Sequence, residues 1–94
     1  MRHNDWFVLM DKAEELLYKR IGKRITELRK KAGYTNQESF AHDVDIARGQ
    51  YTRYEVGSNM KLSSLYKILK FHKMTIEEFF GKDFWYSMAQ VTRC

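Results

Sequence analysis

The sequence predicts an all-α fold, a compact five-helix domain flanked by a helical extension and an aromatic tail, and three observations carry that expectation. Apolar residues recur at helical spacing in Ile21, Ile25, Leu28 and Ala32, and again in Leu62, Leu65, Ile68 and Leu69. No segment supports a strand. The chain has no proline and its five glycines are scattered rather than gathered into a linker, so 94 residues read as one domain around a single core.

Residues 1–18 form the N-terminal extension, with Trp6, Leu9, Met10, Ala13, Leu16 and Leu17 on one helical stripe and Asn4 or Asp5 as its cap. The domain itself spans residues 19–81. Its first helix runs from about Lys19 to Ala32 and closes at Gly33, which reaches the left-handed conformation without a Cβ clash. The second begins near Asn36, where either Thr35 with Glu38 or Asn36 alone can accept the unpaired amide hydrogens of the first turn. It ends near Asp43, and Asp45 falls in the turn because a short polar side chain tolerates positive φ better than most. The third helix follows from about Ala47 to Glu55.

Gly57, Ser58 and Asn59 then break the chain before a fourth helix from about Lys61 to Phe71. Thr75 with Glu78 makes a capping box ahead of Ile76, Phe79 and Phe80, and Gly81 ends this fifth helix. Phe40, Ala41, Ile46 and Tyr51 add to the core. The tail, residues 82–94, carries Phe84, Trp85, Met88 and Val91, which either pack over the core or form a second interface.

Charge and composition narrow the function. Seventeen basic against twelve acidic residues give a net charge of +5, which favours polyanions. Lys19, Arg20, Lys23, Arg24, Arg29, Lys30 and Lys31 crowd one segment, opposed there only by Glu27. No long uncharged apolar run exists to span a membrane, and acidic residues among the first fifteen argue against a secretory signal, so a cytoplasmic protein is expected. The single cysteine, Cys94, has no partner for a disulfide or a thiolate site.

Catalysis finds no foothold. His3, His42 and His72 are dispersed without metal-site spacing, and Glu14-Glu15 and Glu77-Glu78 are adjacent pairs whose side chains diverge on a helix. No glycine-rich phosphate loop or activated nucleophile is present, so neither an enzyme nor a cofactor is expected.

The segment from Asn36 to Gly57 instead reads as two short helices joined by a tight turn, the geometry of a helix-turn-helix. Its second helix carries Arg48, Gln50 and Arg53, long side chains on a rod of major-groove dimensions, which points to double-stranded DNA. Arg48 and Arg53 suit the O6 and N7 of guanine and Gln50 the N6 and N7 of adenine, each worth about 1–3 kcal/mol of discrimination. Contact with phosphate alone is the other reading of these residues. Gly49 permits close backbone approach, while Tyr51 and Tyr54 have the spacing of the core-facing side.

At Gln37, Phe40-Ala41, Ile46, Arg53-Tyr54-Glu55 and Gly57 the sequence resembles the phage repressor and Cro-like family, the XRE-type helix-turn-helix regulators. Ile21-Gly22-Lys23-Arg24-Ile25 with Leu28-Arg29 is similar to that family's first helix and Leu62 through Phe80 to its closing pair, so residues 19–80 are covered. The resemblance implies a lambda-repressor-like domain whose second helix spans the DNA backbone while the third enters the major groove. It implies base-facing roles for Arg48, Gly49, Gln50 and Arg53 and, for Gln37 beside Asn36, a phosphate contact together with support of a base-reading side chain. It further implies an internal ion pair of Arg29 with Glu55 and a phosphate-contacting loop at Asn59 and Lys61; Lys23 and Arg24 are expected to add phosphate attraction. Three positions depart from the pattern: an extra residue between Gly33 and Asn36, Asp45 in place of a turn glycine, and Ala47 in place of a hydroxyl cap.

The expected function is a sequence-specific transcriptional regulator, a repressor that reads a palindromic operator as a homodimer, with the aromatic extensions available to join two copies. Two alternatives stand beside it. One is an antitoxin that binds its own operator and masks a toxin through the Trp6 or Trp85 region. The other is a helical protein-interaction module without DNA binding.

Overall fold

The chain changes direction at Gly33, Asp45, Gly57 and Lys73, the residues with positive φ (95°, 60°, 111° and 53°) among those described. Each turn closes a helix in the same way. The positive-φ residue donates its amide three residues back (Gly33 to Lys30, Asp45 to His42, Gly57 to Tyr54, Lys73 to Lys70), over 3.0–3.2 Å. The next residue reaches five back, from Tyr34 to Arg29, Ile46 to Ala41, Ser58 to Arg53 and Met74 to Leu69. This Schellman pattern satisfies carbonyls that a helix end otherwise leaves unpaired. Asp45 does so as expected, whereas a lysine in this conformation, at a cost of about 1–2 kcal/mol, has no sequence signal.

The computed structural model describes residues 3–81 and Phe84, with side chains from Lys12 onward. Its elements are α1 (His3–Lys31), α2 (Gln37–Asp43), α3 (Arg48–Val56), α4 (Leu62–Phe71) and α5 (Ile76–Phe79). The expected five helices are present, but α1 starts at His3 and continues without a break through Lys19, so extension and first domain helix are one rod. Asn4 and Asp5 therefore lie inside the helix instead of capping it. The side chains of Trp6, Leu9 and Met10, and residues Trp85, Met88, Val91 and Cys94, lie outside the described residues.

Local chemistry accounts for the other starts. Asn36 alone caps α2, its side chain accepting from the Ser39 amide at 2.8 Å, and Thr75 with Glu78 completes the capping box of α5. Gly81 plays no part in ending α5, which stops at Phe79 with Phe80 at its cap.

Around these ends sits one apolar core in which Ile25, Phe40, Tyr51, Ile68 and Phe79 are fully buried. Phe40 lies at its centre, within 5.2–5.5 Å of the rings of Tyr34, Tyr51, Phe71 and His72. Burial lowers the His72 imidazole, which stays neutral against that ring. Phe84 packs over the domain, edge-on to Phe80 at 5.0 Å. Three expected core residues lie elsewhere: Ala32 is exposed in the turn after α1, and Leu62 and Ile76 are 71% and 54% exposed. With Tyr66 they leave an apolar face on α4 and α5.

Helix α3 owes its position to Gly22. A Cβ there would stand 2.5 Å from the carbonyl oxygens of Tyr54 and Glu55, so α1 and α3 touch backbone to backbone.

Candidate nucleic-acid interface

Helix α3 has two unlike sides. At about 100° per residue, Arg48, Gly49, Thr52, Arg53 and Val56 share one arc, and Tyr51 and Tyr54 the opposite one. Tyr51 and Tyr54 are buried, whereas Arg48, Gly49, Arg53 and Val56 are exposed and Thr52 is half-buried. A Cβ on Gly49 would meet nothing within 4 Å. Ala47 offers no side-chain acceptor for the first-turn amides of α3, and its carbonyl accepts the helix's first i→i+4 bond, from Tyr51 at 2.9 Å.

The flank of α3 beside Arg48 is locked by polar contacts that converge on Glu55. Arg29 Nε donates to Glu55 Oε2 at 2.7 Å, with both side chains about 5% exposed. A second guanidinium nitrogen of Arg29 donates to the Tyr34 carbonyl, also at 2.7 Å. Gln37 Nε2 donates to the other Glu55 oxygen at 2.7 Å, and Thr52 Oγ1 donates to Gln37 Oε1 at 3.0 Å. Burial by itself would raise the Glu55 carboxyl, but the hydrogen bonds from Arg29 and Gln37 outweigh it and hold the group below the usual carboxylate range. Burial, reinforced by the Glu55 charge, pushes the Tyr51 phenol far up, so it remains a neutral wall of this network.

The structure thus joins α1, α2 and α3 through Arg29, Gln37, Thr52 and Glu55, and the residues expected to touch DNA divide into three groups. Arg48 and Arg53 project outward, and Arg48 makes only a 3.8 Å pair with Glu38 in which both side chains are at least 70% exposed. Such a pair is worth little in water. Asn36, Asn59 and Lys61 are exposed at the start of α2 and in the loop before α4.

Other residues are engaged within the protein. The amide of Gln37 is used at both ends by α3, and Gln50, half-buried at the border of the exposed arc, donates to Tyr54 Oη at 2.6 Å. Arg24 donates to the Glu78 carbonyl at 3.2 Å and lies 5.3 Å from the Phe79 ring centre, a contact with α5 and not with the α2–α3 set. Exposed Lys23 borders a small depression shared with Arg20, Arg24, Glu27 and Phe84.

Thr52 and Val56 also belong to the outer arc of α3, beyond the residues expected there from the sequence. Their spacing of four and eight from Arg48 was the available signal. Among the described residues no group of three or more His, Cys, Asp or Glu is placed to hold a metal ion, and no helix is long and apolar enough to cross a membrane. A family model described as helix-turn-helix matches residues 25–79. No curated protein and no solved structure matches the chain.

Proposed function

The chain belongs to the helix-turn-helix family of the XRE, Cro/C1 type, and on that premise we propose that it is a cytoplasmic repressor that reads a palindromic operator as a homodimer. Membership makes it a DNA-binding transcriptional regulator of that type. The observation that carries the reading of an operator is the asymmetry of α3. Its flank at Glu55 and Thr52 is fastened to α1 and α2 through half-buried hydrogen bonds, so the outer arc with Arg48, Gly49 and Arg53 is presented on a fixed rod.

Direct readout falls to Arg48 and Arg53, with Gln50 beside them. Gly49 admits close backbone approach, and Asn36, Asn59 and Lys61 grip phosphates on either side. Gln37 acts mainly by bracing α3, keeping its second N–H for phosphate. Lys23 and Arg24 contribute long-range attraction to the duplex rather than a fixed contact. Two copies are favoured because one small reading helix supplies little specific affinity, and Leu62, Tyr66 and Ile76 provide exposed apolar surface of the kind two copies can share.

Selection of bound duplexes from a random pool tests this reading. The expected product is a pair of inverted half-sites about 10 base pairs apart. Arg48→Ala and Arg53→Ala should each flatten the preference at one base step, whereas Lys61→Ala should keep the preferred sequence and make the salt dependence shallower by about one unit of slope. An unchanged preference in both arginine variants would reject direct readout, and enrichment of isolated half-sites would reject the homodimer.

A further inference from the structure

Ser64 and Tyr54 form a polar chain in an otherwise apolar part of the core. Ser64 is 6% exposed and faces inward from α4, where the periodicity calls for an apolar residue, and Tyr54 is 3% exposed. Gln50 Nε2 donates to Tyr54 Oη at 2.6 Å, and that oxygen lies 3.2 Å from Ser64 Oγ. Phenylalanine and alanine would fill the same space with no polar atom to satisfy. The chain runs from the core to the only long amide on the reading helix.

We propose that Tyr54 and Ser64 are positioning residues that set which base Gln50 reads. This rests on the assignment of Gln50 as a base-contacting residue. A phenol has one hydrogen to give. With Tyr54 accepting from Gln50 and donating to Ser64, the Gln50 amide is held nitrogen inward. One N–H is spent on Tyr54, which leaves the carbonyl oxygen and the other N–H for the groove. That acceptor and donor match the N6 amino group and N7 of adenine. Were the amide reversed, with its oxygen accepting from Tyr54, only N–H groups would face outward, the pattern that matches the two acceptors of guanine. Ser64 decides between these states by taking the Tyr54 proton.

The test compares base preference, not affinity alone, in duplex selections with the wild type, Gln50→Ala, Tyr54→Phe and Ser64→Ala, each first checked for cooperative thermal unfolding. Gln50→Ala identifies the base step that Gln50 reads, where the wild type should prefer adenine over guanine roughly tenfold. Tyr54→Phe should reduce that ratio to about twofold or less at this step and leave other steps and the salt slope unchanged. Ser64→Ala frees the Tyr54 proton to meet the Gln50 oxygen and should move the preference toward guanine. Uniform weakening across all sequences would mean that Tyr54 and Ser64 only support the fold, and would overturn the proposal. If Gln50→Ala changes no step, the base-reading assignment itself fails and the proposal with it. If Gln50→Ala flattens a step that Tyr54→Phe and Ser64→Ala both preserve, the positioning role alone is refuted.

Discussion

Glu55→Ala is expected to remove about 3–5 kcal/mol of stability, because it strands the Arg29 guanidinium as an unpaired charge in the core. Arg29 is 4% exposed, so water cannot replace the lost carboxylate without opening the junction of α1 and α3. Gln37 loses its acceptor in the same stroke. For a domain of this size the melting midpoint should fall by roughly 12 °C or more, which thermal unfolding followed by circular dichroism would measure. A fall of only a few degrees would mean that the pair is far better hydrated than its burial indicates.

Replacing both partners, as in Arg29→Met with Glu55→Leu, should restore much of that loss, since apolar side chains of similar volume leave no charge to solvate. DNA affinity should not recover in parallel, because the carboxylate that holds Gln37, and through it Thr52, is gone. Acid should act on the wild type in the same sense as Glu55→Ala. The folded carboxyl lies below its ordinary value, so its contribution is complete above about pH 4.3, the unfolded value, and disappears as pH falls through the lower folded one.

How much of this was legible in the sequence depends on the range of the interaction. Gly33, Gly57, Asp45 and the pairing of Thr75 with Glu78 act on backbone a few residues away, and helix ends near them follow from residue type. The pairing of Arg29 with Glu55 was implied by resemblance, and the structure has them 2.7 Å apart. Periodicity gave the angular position of Leu62 and Ile76 on their helices, yet no later segment among the described residues covers them. Gln37 takes its expected role from the family resemblance, Gln50 from its place on the reading helix and Arg24 from a basic run. Their protein partners Glu55, Tyr54 and Glu78 lie 18, 4 and 54 residues away, and for Gln37 and Arg24 no local pattern announces such contacts. The Gln50–Tyr54 contact had the spacing of helical neighbours, but the sequence assigned those two residues to opposite duties. Ser64 was hidden for a related reason: a serine in a helix is ordinarily solvated, and only tertiary packing makes its hydroxyl a buried partner.

Gly22→Ala should be the second most damaging change, and its comparison with Gly49→Ala separates the two uses of glycine in this domain. Alanine gains about 1 kcal/mol of helix propensity over glycine at either position. At Gly49 nothing opposes the gain, since a Cβ meets nothing within 4 Å. At Gly22 the new methyl would fall 2.5 Å from the carbonyl oxygens of both Tyr54 and Glu55. Those are backbone atoms, so no rotamer change relieves the overlap, and α1 must move away from α3 beside the Arg29–Glu55 contact. Overpacking of this kind costs about 3 kcal/mol, which leaves a net loss of about 2 kcal/mol after the propensity gain. Gly49→Ala should therefore raise the melting midpoint by a few degrees and yet bind DNA several-fold more weakly, because its methyl occupies the space assigned to the duplex. Gly22→Ala should lower the midpoint and impair binding together, through displacement of the whole reading helix. Equal midpoints for the two variants would contradict the close crossing of α1 and α3, and undiminished binding by Gly49→Ala would show that the α3 backbone keeps its distance from the groove.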